Sequence, residues 1–249
     1  MHRRVVQDEF TAQAAAWSTE PESADLQWLV QACELAPTDH ALDVGAGTGL
    51  VSRALAPHVA SVTAADLTPA MLAQVNDGTD AAIRPCCCAA ESLPLRDASF
   101  DVVVSRWLVH HLADAAAVLA EMVRVCRPGG RVAIVDLVSD DDADIAARYN
   151  DLERARDPSH TRALAAAELR AALEAEGCDI ATTRDWDRPV ELADWLSFRP
   201  VDDAERDRIH GALHAELAGG APTGMRPFLR DGALWFTHAM RMLVAVRRA

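Results

Sequence analysis

Residues 41–50 read ALDVGAGTGL, and this stretch decides the fold class of the chain. A short apolar run ends at Asp43, and three glycines then alternate at Gly45, Gly47 and Gly49 before a segment with helical spacing. Glycines at this spacing let the main chain turn sharply, and they let a ligand lie against backbone where a Cβ atom would otherwise stand. In an open parallel sheet, ligands bind beyond the carboxyl ends of the strands. The stretch therefore predicts a ligand site above the first strand of an α/β sheet.

The region around this loop, residues 38–138, alternates short apolar runs with alanine-rich segments of helical spacing. This pattern predicts a parallel sheet with helices on both of its faces. Thr68 and Pro69 are expected to begin a helix, and the sequence RPGG at 127–130 is expected to separate a helix from a strand. The expected strands are 41–44, 61–66, 81–87, 100–105 and 130–138, and the expected helices are 50–57, 69–76 and 114–126.

Two further parts flank this block. Residues 5–36 are expected to form two helices, the second from about 22 to 35, that pack over one end of the sheet. After residue 140 we expect helices over 140–176 and 190–217, a strand beginning at Cys178 and a last strand within 233–246. We predict one domain over residues 1–249, made of N-terminal cap helices (1–37), a cofactor-binding core (38–138), and substrate-side helices with the last strands (139–249).

The composition is that of an ordinary globular protein: 249 residues, half of them apolar and a quarter charged. A net charge of −14 argues against binding to a phosphate backbone. No apolar run approaches the roughly 18 residues of a membrane span, and no secretion signal begins the chain. The six cysteines lack zinc-site spacing. We therefore expect a cytoplasmic monomer or homodimer with free thiols, no metal, no membrane partner and no nucleic-acid partner.

The glycine loop differs from the dinucleotide fingerprint G-x-G-x-x-G, because its spacing is G-x-G-x-G and Leu50 stands in the place of the last glycine. Asp43 would repel a pyrophosphate but would suit a cation. The second strand ends at Asp66, about 20 residues after the loop, where a carboxylate can accept hydrogen bonds from both ribose hydroxyls. Capping of the helix that starts at Pro69 is the alternative role for Asp66. Because the last fingerprint glycine is absent and Asp43 would repel a pyrophosphate, an NAD-dependent oxidoreductase is the less favoured interpretation.

Four motifs in the right order resemble the class I S-adenosylmethionine-dependent methyltransferases: LDVGAGTGL, AADLTPAMLAQ, AAESLPLRDASFDVVVSRWLVHHLAD and VRVCRPGGRVAIVDLV. The resemblance spans roughly residues 38–138 and is greatest to the small-molecule branch that includes ubiquinone and menaquinone biosynthesis methyltransferases. It implies a Rossmann-like fold with a mostly parallel seven-stranded sheet, and S-adenosylmethionine as cofactor. A sulfonium and an ammonium against one carboxylate, with no phosphate, fit an acid beside the glycine loop.

By this resemblance the methionine part of the cofactor lies along the glycine loop, Asp66 holds the ribose, and Leu67 and Met71 enclose the adenine. The family usually has an acid where this chain has Ala89, so we expect cofactor binding to be weaker by about 0.5–1.5 kcal/mol. Arg106 either pairs with the cofactor carboxylate or is a solvated arginine. The expected cofactor-binding residues are Asp43, Gly45, Ala46, Gly47, Thr48, Gly49, Asp66, Leu67, Met71, Ala90, Glu91 and Arg106.

The expected reaction is transfer of a methyl group to a small-molecule acceptor at oxygen, nitrogen or carbon, and it needs alignment more than covalent help. His110 or His111 is a candidate general base, although the two should point about 100° apart on a helical turn and not face one ligand together. A structural role is the alternative for each, and the family position favours it for His111.

Further substrate-side candidates are Tyr149 and His160, the latter within the sequence RDPSH at 156–160, which recurs in some bacterial members of the family. Several tryptophans could wall an apolar pocket: Trp17, Trp107, Trp186, Trp195 and Trp235. Because a fold does not determine a reaction, a cofactor-binding member of the fold that catalyses a non-methylating step such as cyclisation is the alternative.

Overall fold

Helices cover both faces of an eight-stranded β-sheet in the computed structural model, which describes residues 2–17, 24–75 and 83–249. The strands are β1 His40–Val44, β2 Ser61–Asp66, β3 Ile83–Cys87, β4 Phe100–Arg106, β5 Cys126–Leu137, β6 Cys178–Glu191, β7 Phe228–Arg230 and β8 Ala233–Arg247. The helices are α1 His2–Trp17, α2 Ala24–Ala32, α3 Leu50–Leu55, α4 Pro69–Leu72, α5 Ala115–Val125, α6 Ala143–Arg156, α7 Ala166–Ala175, α8 Leu192–Ser197 and α9 Asp203–Leu217.

The sheet is mostly parallel, and its main path runs β3-β2-β1-β4-β5-β8-β6. Strands β1 to β5 pair in parallel, whereas β8 runs antiparallel between β5 and β6. The predicted fold class is confirmed, with eight strands in place of seven. The additional strand, β7, is a three-residue segment joined to β8 by Asp231 and Gly232, which both have positive φ (52° and 79°). That is the backbone of a tight two-residue hairpin turn.

The expected elements of the core are present with shifted ends. The helix expected over 50–57 ends at Leu55 and continues as a 3-10 turn, Ala56–His58. The helix expected over 69–76 ends at Leu72, and Asn76 lies outside the described residues, as do residues 81 and 82 of the strand expected at 81–87. Pro69 occupies the first turn of α4, as predicted.

The expected helix over 140–176 is two helices, α6 and α7, separated by an irregular stretch at 157–165. Pro158 accounts for the break, because a proline disfavours the helical conformation of the residue before it. The helix expected over 190–217 begins only at Leu192 and divides into α8 and α9, since β6 continues to Glu191. Cross-strand pairing with β8 along this whole length stabilises the extended conformation.

The apolar core lies on both faces of the sheet. Strand β4 is buried at every position, as expected for a central strand with both faces covered. Alternate residues of β4 enter different clusters: Val103 packs with α5 residues such as Leu119, and Val102 and Val104 pack with α2 residues such as Leu29. Within the described chain, no helix has the length and apolar character needed to cross a membrane.

A third apolar cluster positions the end of the sheet that bears the site. It joins Leu152 of α6, Trp195 and Leu196 of α8, Ile209 of α9 and Phe236 of β8. These elements stand beside the carboxyl ends of the parallel strands, and α1 lies over the same edge in contact with α4. The α6–α9 region therefore forms one wall of a space above the sheet, and α1 forms its cover.

We predict that Leu119→Ala destabilises the fold by about 2–5 kcal/mol, because Leu119 is fully buried in the cluster between α5 and the sheet and its truncation leaves a cavity. Urea unfolding followed by circular dichroism measures the change. Leu229→Ala is the matched control, since Leu229 is 62% exposed and should change stability by no more than about 0.5 kcal/mol. Equal effects of the two variants would contradict this description of the core.

Candidate functional site

A cavity of about 580 Å³ lies above the carboxyl ends of β1, β2 and β4. Its floor is formed by the loops that follow these strands, and its walls include residues of α1, β6, α8 and the segment around residue 157. The volume falls in the range of small-molecule sites. The prediction that the ligand site lies above the first strand agrees with this placement.

The glycine loop forms the floor beside β1. The backbone N–H groups of Gly45 and Ala46 both donate to the Ala65 carbonyl, at 2.8 and 3.0 Å, so the loop is held against the end of β2. Gly45, Gly47 and Gly49 have φ values of 73°, 54° and 86°, a region that other residues rarely adopt. A Cβ atom on Gly45 would also lie 2.9 Å from a Leu108 methyl group. Backbone conformation therefore favours glycine at all three positions, and lack of space adds to this at Gly45.

Asp66 joins the two loops at the floor of the cavity. One carboxylate oxygen accepts the Gly47 N–H at 2.8 Å, and the other accepts the Thr68 N–H at 2.7 Å. The carboxylate thus joins the glycine loop to Thr68, the N-cap residue of α4, but no side chain makes a capping hydrogen bond to that helix, so the capping role expected as the alternative is not seen. Burial raises the pKa of Asp66, and the amide hydrogen bonds oppose this rise only in part. A carboxylate has about four lone-pair positions, so capacity for two ribose hydroxyls is left.

Asp43 lies directly behind the glycine loop and is fully buried. Its Oδ2 accepts the Ser52 hydroxyl at 2.7 Å, whereas Oδ1 has no hydrogen-bond donor among the described residues. Burial raises the pKa of Asp43 to about 7, although the bond from Ser52 opposes the rise. A buried acid that is compensated only in part, by Ser52 and by the charge of Arg106, suits a cationic ligand on the other side of the loop. This observation fits the sulfonium and ammonium groups of S-adenosylmethionine.

The remaining predicted cofactor residues gather at the same cavity, with two exceptions. Leu67 and Met71 line it on the β2 side, and Ala90 and Glu91 line it on the β3 side. Helix α1 reaches both groups, because Gln7 donates to the Leu67 carbonyl at 3.2 Å and Arg3 pairs with Glu91 at 3.3 Å. The exceptions, Asp43 and Gly49, do not line the cavity; Gly49 is the N-cap residue of α3.

Arg106 lines the cavity but is buried, so the expectation of a solvated arginine is wrong. Its Nε donates to Asp25 at 2.8 Å, and its guanidinium lies 4.0 Å from the centroid of the Trp107 ring. Asp25 lies in helix α2, which is distant in sequence from β4. The pair with Arg106 could therefore not be predicted from the sequence. Pairing of Arg106 with the cofactor carboxylate stays a prediction.

His110 forms a buried pair with Asp136 at the cavity wall. His110 Nδ1 hydrogen-bonds to Asp136 Oδ1, and the same carboxylate accepts the N–H groups of Val109 at 2.6 Å and Leu137 at 2.7 Å. Burial by itself lowers the pKa of His110, but the charge and hydrogen bond of Asp136 outweigh burial and raise it. Because Nδ1 faces the carboxylate, Nε2 is the atom left to bind or release a proton.

His111 is in a different environment although it is adjacent. Its Nδ1 lies 3.2 Å from the Ser159 carbonyl, its ring meets the edge of Phe10 at 5.0 Å, and burial followed by the neighbouring His110 lowers its pKa to about 3. Both residues line the cavity from a 3-10 turn, Val109–His111, and their ring centroids are 4.1 Å apart with the ring planes inclined by 44°. Whether both rings face one ligand stays a prediction about the site.

His160 lies at the cavity, whereas Tyr149 does not. The Asn150 amide group donates to the Ala146 carbonyl and its oxygen accepts the Ala163 N–H, so His160 Nε2 must donate to that oxygen, at 2.8 Å. Burial lowers the pKa of His160 to about 4. Tyr149 is 1% exposed and packs in the third apolar cluster, so the structure does not place it against a substrate.

Sequence reasoning missed several polar residues of the site. Glu153 and His238 both line the cavity and form a buried pair at 2.8 Å, across 85 positions of sequence. Burial raises the pKa of Glu153, but His238 outweighs burial and brings it to about 2. Asp136 could have been predicted as a site residue, because it stands near the carboxyl end of the expected strand 130–138. No sequence pattern marks Glu153 or His238. Of the tryptophans, Trp107 and Trp195 line the cavity, and the Trp17 side chain lies outside the described part of the chain.

No group of three or more His, Cys, Asp or Glu side chains is arranged to hold a metal ion within the described ranges. The sheet order, the glycine loop at the end of β1 and the acid at the end of β2 define a Rossmann-like nucleoside-binding enzyme. The acid behind the loop distinguishes this site from a pyrophosphate site, since it favours a cation.

Comparison with known proteins agrees with this class. Residues 42–134 match the family of methyltransferase domains. The chain is 29% identical to the uncharacterized methyltransferase YcgJ of Bacillus subtilis over 191 residues, which is 75% of each chain. It is 31% identical to the uncharacterized protein YafE of Escherichia coli over 158 residues, covering 62% of this chain and 76% of YafE. It is also 38% identical to demethylmenaquinone methyltransferase of Corynebacterium urealyticum over 103 residues, 41% of this chain and 44% of that enzyme.

Two solved structures share the fold over nearly the whole chain. The crystal structure of Bacillus subtilis YcgJ superposes with a TM-score of 0.82 at 24% identity, covering 90% of this chain and 98% of YcgJ. A protein of Bacillus halodurans C-125 superposes with the same TM-score at 25% identity, covering 91% of this chain and all of that one (100%). The chain belongs to the class I S-adenosylmethionine-dependent methyltransferases, and S-adenosylmethionine is its cofactor.

We predict that the affinity for S-adenosylmethionine rises by about tenfold between pH 6 and pH 8. Asp43, with its pKa raised to about 7, is mostly protonated at the lower pH and ionised at the higher pH, and only the ionised form attracts a cation. Isothermal titration calorimetry at several pH values measures the change.

Asp43→Asn should bind the cofactor more weakly and without this pH dependence. Asp39→Asn is the control, because Asp39 is a buried acid that does not line the cavity and should leave the pH dependence intact. A wild-type affinity that is flat across the range would remove Asp43 from cofactor binding.

Proposed function

We propose that this protein transfers the methyl group of S-adenosylmethionine to a small-molecule acceptor whose reacting atom carries a proton that must be removed. The buried His110–Asp136 pair at the cavity wall is the observation that supports this proposal. An acceptor that is already a free nucleophile would need no such pair. The size of the cavity supports a small acceptor, since the same space of about 580 Å³ must also hold the cofactor.

The cofactor would be held by the floor of the cavity. Asp66 accepts hydrogen bonds from the ribose hydroxyls, Leu67 and Met71 lie against the adenine, and the backbone from Gly45 to Thr48 follows the methionine part, with Asp43 behind it. When bound, S-adenosylmethionine supplies an electrophilic methyl group on a positively charged sulfur. Helix α1 covers this region through Gln7 and Arg3, and it excludes water from the floor.

Five histidines line the cavity, and the pKa values of three of them, His110, His111 and His160, distinguish their roles. His111 and His160, with pKa values lowered to about 3 and 4, stay neutral at physiological pH and are too weakly basic to take a proton there. The pKa of His110 is raised, because Asp136 stabilises the imidazolium. We therefore assign the general base to His110, with Nε2 accepting the proton and Asp136 positioning the ring.

Incubation of the protein with methyl-labelled S-adenosylmethionine and small-molecule extracts of the native host, followed by mass spectrometry, tests the reaction. We expect a labelled small molecule to accumulate together with S-adenosylhomocysteine. Cofactor bound without transfer of label would contradict methyl transfer and favour the alternative of a non-methylating reaction.

In a calorimetric binding titration, Asp66→Ala should bind S-adenosylhomocysteine on the order of a hundredfold more weakly than the wild type, because hydrogen bonds to a charged group are lost. Asp151→Ala, at an exposed acid on α6, serves as the control and should bind as the wild type does. An unchanged dissociation constant for Asp66→Ala would exclude Asp66 from the ribose site.

His110→Gln should lower kcat by about 10²–10⁴-fold and leave cofactor affinity unchanged, because the general base is lost but the floor of the cavity is intact. His58→Gln, at an exposed histidine, is the control and should not change kcat. In the wild type, kcat should rise with pH along a limb whose midpoint lies above the ordinary histidine pKa of about 6.5, because the pKa of His110 is raised and only neutral His110 accepts a proton.

Asp136→Asn should move this limb to lower pH and reduce the maximal rate, because the charge that stabilises the imidazolium is removed. Stopped assays of S-adenosylhomocysteine formation across pH 5–9 give both parameters. A wild-type rate for His110→Gln, or a limb that Asp136→Asn does not move, would reject the assignment of the base.

A further inference from the structure

The RDPSH sequence at 156–160 forms the acceptor-side wall of the cavity, and the proposed function does not use most of it. Arg156, Asp157 and His160 all line the cavity, at the end of α6 and in the irregular stretch that follows. The segment follows α6, whereas the glycine loop follows β1, so the two line the cavity from different elements of the fold.

Asp157 stabilises this wall through its contacts with Ser159 and Arg199. Its Oδ1 accepts the Ser159 N–H at 2.8 Å and the Ser159 hydroxyl at 2.5 Å, and it pairs with buried Arg199. Arg199 in turn pairs with Glu9 of α1 at 2.6 Å, which joins the cover of the cavity to its wall. The Ser159 carbonyl lies 3.2 Å from His111 Nδ1. Asp157 Oδ1 thus has three partners of its own, whereas Oδ2 lies near Arg156.

Glu153, the other buried acid beside Arg156, is paired with His238. Asp194 of α8 also lines the cavity, but it is exposed to water. Both buried acids therefore have other cationic partners and offset the burial of the Arg156 charge only in part. Among the described residues, the ion pair of Arg156 is a long contact with Asp157.

Arg156 is a poorly compensated buried cation. Among the described residues its guanidinium makes one hydrogen bond, from Nε to the Trp195 carbonyl at 3.3 Å. Its Nη1 is 3.6 Å from Asp157 Oδ2, which is too long for a hydrogen bond. The side chain is 14% exposed, and burial lowers the pKa of Arg156. A buried charge without close partners is costly, and an anion in the cavity would relieve that cost.

A second guanidinium and two aromatic rings adjoin the same place. Arg188 of β6 lines the cavity, where its positive charge also acts on Arg156. The Arg156 guanidinium lies 5.3 Å from the Trp195 ring and 5.5 Å from the Phe198 ring, and Phe198 is unusual for a large apolar residue in being 43% exposed. This part of the cavity thus combines positive charge with aromatic surface.

We infer that Arg156 binds an anionic group, a carboxylate or a phosphate, on the acceptor, and that the enzyme selects acceptors that join such a group to an apolar or aromatic body. A guanidinium matches both groups geometrically, because its paired N–H donors meet two oxygens at once. The inference rests on the proposed function, since it concerns the acceptor of that reaction. It places the anion at the wall formed by residues 156–160 and leaves His110 free to act on the reacting atom.

Binding of simple probes to the full-length protein saturated with S-adenosylhomocysteine tests this inference without turnover. The probes are benzoate, phenyl phosphate and neutral benzamide, titrated by ligand-observed NMR or calorimetry. We expect at least one of the two anions to bind about tenfold or more tightly than benzamide. Which anion binds better distinguishes a carboxylate site from a phosphate site.

Arg156→Met should abolish the preference for the anion while leaving the benzamide affinity unchanged, and Arg156→Lys should retain part of it because the charge is kept. Arg154→Met is the matched control: Arg154 is on the same helix, does not line the cavity and should keep the full preference. Thermal melting verifies that each variant is folded, and Arg156→Gln replaces Arg156→Met if the latter is not.

Benzamide binding as well as both anions in the wild type, or an anion preference that survives in both Arg156→Met and Arg156→Gln, overturns the inference. Saturation of the protein with S-adenosylhomocysteine, which precedes the addition of the probes, separates this failure from failure of the proposed function. Wild-type protein that does not bind S-adenosylhomocysteine contradicts the proposed function, whereas binding of S-adenosylhomocysteine without anion preference contradicts only the role of Arg156.

Discussion

Most charged side chains around the cavity are withdrawn from water, and a charge in that position is stable only if an opposite charge or hydrogen bonds compensate it. The protein meets this requirement with pairs that span the fold: His110 with Asp136, His238 with Glu153, Arg199 with Asp157 and Arg106 with Asp25. Each pair connects elements that are distant in sequence, so the pairs hold the walls of the cavity in place. Compensation is incomplete at Asp43 behind the glycine loop and at Arg156 on the cavity wall.

The same requirement gives neighbouring histidines of the cavity different pKa values. Burial by itself would lower the pKa of His110, His111 and His160, but of these three only His110 has a carboxylate bonded to its ring, and only its pKa is raised. His111 and His160 bond instead to a carbonyl and an amide, which carry no charge. One cavity therefore holds a basic imidazole next to two neutral ones, because the partner of each ring, and not its burial, differs.

Much of the fold was predictable, because the core strands and helices depend on local apolar patterns and on turn residues. Strand β4 and the loop after β1 lie where the patterns place them. The short strand β7 was missed although Asp231 and Gly232 are a recognisable hairpin turn, since three residues show no periodicity. The end of β6 was misplaced because pairing with β8, and not local propensity, keeps it extended to Glu191.

The amino-acid sequence by itself indicated the cofactor class and the two loops that form the floor of the cavity. The glycine loop and Asp66 follow adjacent parallel strands, so their spacing along the chain already implies their proximity. Only the tertiary structure decided which histidine pairs with a carboxylate and which arginine is buried at the cavity wall without a close ion pair. Those properties depend on partners such as Asp136, 26 positions from His110, and His238, 85 positions from Glu153. No spacing in a single chain specifies such contacts, because the pairing of β4 with β5 brings the first two together and the packing of α6 near β8 brings the second two together.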